Sequence, residues 1–121
     1  MAARRDVGAA GERIAGEYLM LSGYRILERN YRSGHLEVDL IAESRGCLVF
    51  IEVKTRRGDS FGDALEAVSV SKLGKIRRAA RIYLSERQSR AAYAEYRFDL
   101  VAIDMLPGGG GMTLRHVKGI T

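Results

Sequence analysis

The stretch HLEVDLIAESRGCLVFIEVKT, residues 35–55, constrains the fold more than any other part of the chain. Leu36, Val38, Leu40 and Ala42 alternate with Glu37, Asp39 and Ile41, which is the two-residue period of a strand. After Ser-Arg-Gly, a β-branched run places Val49, Ile51 and Val53 on one side and Leu48, Phe50, Glu52 and Lys54 on the other. Whether the turn is the Arg45-Gly46 pair or the four residues 44–47, the hairpin has the same register. Ile41 faces Phe50, Asp39 faces Glu52 and Glu37 faces Lys54, and all of these side chains are expected on one face of the sheet. That face is apolar beside the turn and ionic away from it.

Carboxylates directly opposite each other in neighbouring strands sit about 5 Å apart and oppose pairing. At an effective dielectric near 20 the repulsion is roughly 3 kcal/mol. A divalent cation resolves the conflict, because Asp39 and Glu52 both offer the hard oxygen ligands that Mg²⁺ or Mn²⁺ takes. Such an ion polarises a phosphodiester and acidifies a bound water. Lys54, two residues beyond Glu52 and on its face, is placed to orient that water or to offset the charge growing on phosphorus-bound oxygens. Glu37 is a further carboxylate or the partner of Lys54. The competing reading is a metal-free ion network of Glu37, Asp39, Glu52 and Lys54.

The rest of the chain supplies layers for this hairpin. Residues 11–22, GERIAGEYLMLS, space Ile14, Ala15, Tyr18 and Leu19 on one helical arc, and Gly23 stops the helix. Glu12 lies at the margin of that arc and looks inward, whereas Glu17 points away. Residues 24–31 read as a strand. A second helix is expected over 71–87, with Leu73, Ile76, Ala80, Tyr83 and Leu84 as its core stripe. Residues 96–103 form a further strand, the glycine run after Pro107 a hairpin loop, and residues 112–118 a returning edge strand. The order is α-β-β-β-α-β-β: one domain over residues 1–121, an α/β fold with a mixed sheet flanked by helices.

Composition narrows the function. The formal charge is +5 and the pI about 9.7, which favours a polyanionic partner such as nucleic acid. Cys47 is the single cysteine, so an intramolecular disulfide framework and a cysteine zinc cluster are excluded. The first residues carry charges without a long apolar run, so neither a signal peptide nor a membrane helix is expected, and the cytoplasm is the expected location.

At these residues the chain resembles a known family. GERIAGEYL, NYRSGHLEVDLIA, LVFIEVKTRR, FGDALEAV and RFDLVAI, in that order over roughly residues 8–103, are similar to the small, uncharacterised bacterial YraN-like family. That family is similar to the archaeal Holliday-junction resolvases and has the restriction-endonuclease-like, PD-(D/E)XK nuclease fold. The resemblance implies a Mg²⁺-dependent phosphodiesterase site acting on DNA, and by analogy with resolvases a homodimer. It makes Asp39 and Glu52 the metal ligands and Lys54 the catalytic lysine. Glu12 matches the helical glutamate of the pattern, and Glu37 the acidic residue two places before the aspartate. Two positions depart from the pattern: Leu36 stands where the family usually has glycine, and Val38 where the fold's name has proline.

Several residues remain beside that core. Arg56 and Arg57 follow Lys54 directly and are candidates to grip phosphates, as is Lys72 at the start of the second helix. A solvated basic loop and a wet helix face are the plainer readings of the same charges. Asp99, mid-strand among apolar residues, is expected to be structural, paired with Arg97 or the second helix. His116 has no partner that the sequence identifies. Tyr18, Tyr83 and Phe98 fit core spacing.

Overall fold

The computed structural model describes residues 4–57, 68–87 and 93–121. Its elements are α1 (Arg4–Leu21), β1 (Arg25–Ser33), β2 (Leu36–Ser44), β3 (Cys47–Arg57), α2 (Val70–Arg87), β4 (Glu95–Met105) and β5 (Met112–Val117). The order is the expected one. The loop after Arg57 and most of the FGDALEAV stretch lie outside the described residues.

The strands form one sheet in the order β1-β2-β3-β4-β5. Only β3 and β4 are parallel, joined by the crossover that carries α2. The other neighbours are antiparallel, so the sheet is mixed. This is the layering of the restriction-endonuclease-like fold.

Local chemistry sets the joints. At Gly23, φ is +94°, and Tyr24 N–H returns to Leu19 O at 2.9 Å, a Schellman-type stop for α1. The hairpin turn is the Arg45-Gly46 pair, with φ of +51° and +78°, the two left-handed residues of a type I′ turn. Ser69 caps α2, its hydroxyl accepting from Lys72 N–H at 3.0 Å. No described helix is long and apolar enough to cross a membrane.

The sheet separates two cores. Ala15 and Leu19 of α1 cover Leu40, Ala42, Val49, Ile51, Val101 and Ile103. Ile76, Ala79, Ala80 and Tyr83 of α2 cover Leu36, Val38, Ile41, Leu48 and Phe50. Gly11 brings α1 hard against β3: a Cβ there would lie 1.9 Å from Thr55 Oγ1.

The two cores correct the face assignment of β2. Strict alternation puts Leu36, Val38, Leu40 and Ala42 together, yet Val38 packs under α2 and Leu40 under α1. The strand therefore inverts at Asp39. Its neighbour inverts too: Arg29 pairs with Leu40 and Tyr31 with Val38, while Asn30, between them, has φ of +53°. An asparagine tolerates this left-handed conformation better than most residues. Alternation cannot show such an inversion, because the apolar pattern is unbroken.

Candidate active site: a carboxylate fork

The hairpin register holds as expected from Ser44↔Cys47 to Leu40↔Ile51 and then stops. Beyond that point β2 and β3 part. Asp39 fills the opening: its Oδ2 accepts from Val53 N–H at 2.8 Å, so a side chain takes over from a backbone carbonyl. The expected facing of Asp39 and Glu52 survives as side-chain contact, within hydrogen-bonding reach of each other, rather than as a ladder pair. The expected facing of Glu37 and Lys54 does not survive. With β2 inverted at Asp39, Glu37 lies opposite Arg32 of β1, and their side chains pair at 3.6 Å.

Glu52 is only 8% exposed, on a strand whose preceding residues are wholly apolar and buried. Burial and the adjacent Asp39 carboxylate push its pKa up to about 8, against the pull of Lys72 and Lys54. Asp39 is raised as well, chiefly by burial, with Val53 N–H pulling the other way. Glu12 reaches the cluster from α1. Burial and then Asp39 raise its pKa, while a hydrogen bond with Asn30 opposes them. The positions of Glu12 and Asn30 follow from the close approach at Gly11 and the inversion of β1.

The cations are unequally committed. Lys72 Nζ lies 3.7 Å from Glu52 Oε2, so the first turn of α2 stands over the fork, and the positive end of that helix favours the ionised carboxylate. Sequence reasoning singled out Lys72 for phosphate; the fold turns it toward Glu52. Lys54 is half-buried and acts on Glu52 through its charge. Arg56 is held by Asp104 at 2.9 Å, and Arg57 is exposed. The fold thus assembles Glu12, Glu37, Asp39, Glu52, Lys54 and Lys72 from two helices and two strands around one opening.

Two carboxyl groups forced together in a nearly dry fork suit a hard cation. Mg²⁺ needs only one or two carboxylates and keeps its remaining positions for water and phosphate oxygens. Asp39 and Glu52 meet that requirement, and their raised pKa values mark a site short of positive charge.

The profile of uncharacterised protein family UPF0102 matches residues 11–103. The chain belongs to this family. Among its relatives, a UPF0102 protein of Symbiobacterium thermophilum is 47% identical over 105 residues, 87% of each chain. Another, of Corynebacterium efficiens, is 44% identical over 118 residues, covering 97% of this chain and 93% of its own. One of Rhodococcus opacus is 45% identical over 98% of each. Among solved structures, that of Pyrococcus furiosus SfsA in complex with Ca²⁺ is similar at TM-score 0.37 and 18% identity, over 95% of this chain and 64% of that one. The matched span holds the fork's Glu12, Glu37, Asp39, Glu52, Lys54 and Lys72.

Proposed function

We propose that the fork is the active site of a metal-dependent endonuclease that hydrolyses phosphodiester bonds in DNA. The observation that carries this reading is the contact between Asp39 and Glu52 where β2 and β3 part, with Lys54 on the same strand. Asp39 and Glu52 would hold Mg²⁺ or Mn²⁺, which when bound polarises the phosphodiester and acidifies water. Lys54 orients the attacking water and offsets the charge that builds on the phosphorus-bound oxygens. Glu12 and Glu37 are further carboxylates at the rim, available to hold water or to take a proton. Arg57, exposed at the end of β3, contacts a flanking phosphate, and Arg56 does so only by sharing its guanidinium with Asp104. The net positive charge steers the polyanion. A cytoplasmic location and a homodimer belong to the same proposal; two copies would present paired cuts to a branched substrate.

One observation favours a second reading. The Lys72 ammonium already stands against Glu52, where it supplies positive charge without a metal. A protein of this fold that binds nucleic acid and does not cut it would keep that arrangement.

Incubation of the purified protein with plasmid, single-stranded and four-way-junction DNA, with Mg²⁺, Mn²⁺ or chelator, separates the two. Metal-dependent cleavage that disappears in Glu52→Ala and in Lys54→Ala supports the endonuclease. Salt-sensitive binding without cleavage supports the binding protein. Absence of binding at moderate salt defeats both.

A further inference from the structure

A polar cavity of about 470 Å³ opens at the end of the α1 face away from the fork. It lies by Cys47 at the start of β3, whereas the fork lies by Glu52, about 16 Å along the strand. Its floor is a chain of side chains from three elements. Asp99, 0% exposed, accepts from His116 Nε2 at 2.7 Å, from Arg97 Nε at 2.8 Å and Arg97 Nη2 at 2.9 Å, and from Gly119 N–H at 3.1 Å. Both carboxylate oxygens are used, each twice. With Asp99 holding the proton on Nε2, His116 Nδ1 is left to accept from the Tyr18 hydroxyl at 2.8 Å.

This arrangement decides the sign of the cavity. The charge of Asp99 is spent below the floor, on donors that hold it in place. Arg97 gives Asp99 two of its nitrogens and shares Nη2 with the Tyr24 hydroxyl; Nη1 takes no part in these bonds, and the residue lines the cavity. Arg45 at the hairpin turn and Lys118 after β5 are exposed at the rim. Glu95 is the one rim carboxylate among the described lining residues. Counted together, the cations Arg45, Arg97 and Lys118 outnumber Asp99 and Glu95. The rings of Tyr18 and Tyr24, 5.5 and 6.0 Å from the His116 ring, give the wall an aromatic side.

We propose that this cavity is a second ligand site, separate from the fork, which binds a phosphate monoester of nucleotide size. A doubly charged phosphate suits a guanidinium and an ammonium at the rim of a polar cavity, and the volume is that of a small-molecule site. The ester's organic part lies against the tyrosines. Nothing in this proposal depends on what the fork does.

The test is an NMR titration with chelator present, so that no metal at the fork can recruit phosphate. The chain has only two histidines, and His35, in the β1–β2 turn, is the internal control. Adenosine 5′-monophosphate and inorganic phosphate are expected to move the His116 and Tyr18 ring signals saturably, with His35 still and adenosine without effect. Lys118→Ala and Arg45→Ala should each weaken binding about fivefold, the scale of one solvent-exposed ion pair, and Glu95→Gln should tighten it by a similar factor. A 5′-phosphorylated oligonucleotide that binds better than the free nucleotide makes the end of a strand the source of the phosphate. Equal or weaker binding makes it a small molecule, and both results support the site. The proposal is overturned if adenosine shifts His116 as well as its monophosphate does, if no probe shifts it, or if the charge variants leave affinity unchanged. None of these outcomes bears on cleavage at the fork.

Discussion

Glu52 and Asp99 are both acids buried in the middle of the same sheet, yet they are held in opposite states. Asp99 is the more deeply buried, and burial alone would raise its pKa. His116, Arg97 and Gly119 N–H outweigh that, and its pKa is lowered. Glu52 keeps a small exposed edge, but burial and the carboxylate of Asp39 beside it outweigh its long ion pair with Lys72, so its pKa rises to about 8. Burial does not decide the state of a buried acid; the supply of donors does. A satisfied acid stiffens the fold, and an unsatisfied one is open to a ligand that brings positive charge.

The largest test of this contrast is Asp99→Asn. It leaves Arg97 and His116 without their shared anion, and urea unfolding at neutral pH should show a loss of about 3–5 kcal/mol. Because the folded-state pKa of Asp99 is lowered, its contribution is present above the unfolded value of 3.8 and fades as pH falls through the folded value. The variant should therefore lose less, relative to the parent chain, in strong acid.

Glu52→Gln should act in the opposite direction. A raised folded-state pKa means that the native protein holds a proton the unfolded chain has lost, so stability drains away as pH climbs from 4.5 to about 8. The glutamine variant should be more stable than the parent at pH 9, by about 2 kcal/mol once solvent at the exposed edge is allowed for, and equal to it below pH 4. Denaturant melts across that range check it; a parent chain with no such slope would place Glu52 among the satisfied acids.

A divalent cation should remove the same defect without mutation. At ten times its dissociation constant, Mg²⁺ or Mn²⁺ should add about 1.4 kcal/mol to the parent chain near pH 8, and little at pH 5, where protons hold the fork. Thermal melts with and without metal would show it, and Glu52→Gln should lose the effect.

Tyr18→Phe is the mildest probe. It removes the 2.8 Å bond to His116 Nδ1 while leaving Asp99 its donors, so a cost near 1 kcal/mol at pH 7 is expected from thermal unfolding. A cost as large as that of Asp99→Asn would show the whole chain of side chains acting as one unit.

Much of the fork was legible before any fold was known. The Arg45-Gly46 turn and the apolar runs around it dictate the register near the turn, and Asp39 and Glu52 follow from counting outward. Glu12 was legible from helical spacing. The failures share one cause: they depend on backbone conformations or partners that leave no periodic mark. The inversion at Asn30 and Asp39 keeps an apolar residue at every second position while changing the core it enters, so Glu37 was matched with Lys54 when its side chain pairs with Arg32. Asn30 itself was a usable signal, as a residue tolerant of the left-handed region in an otherwise β-forming run. Lys72 and Glu52 are separated by a parallel crossover, and no short-range spacing relates them. His116 had no visible partner because Asp99 and Tyr18 come from another strand and from a helix 98 residues away.

The sequence by itself determined the element order, the mixed α/β class, the hairpin and the family, because these rest on periodicity, turn chemistry and motifs within short windows. Only the tertiary structure decided which acids are satisfied. Arg97, two residues before Asp99, was legible as its partner; the rest depends on donors delivered from distant elements, Lys72 by the crossover to Glu52, and His116 of β5 and Gly119 just after it to Asp99. The charge of a buried acid is set by what the rest of the fold brings within about 3 Å of it, and no reading along the chain contains that distance.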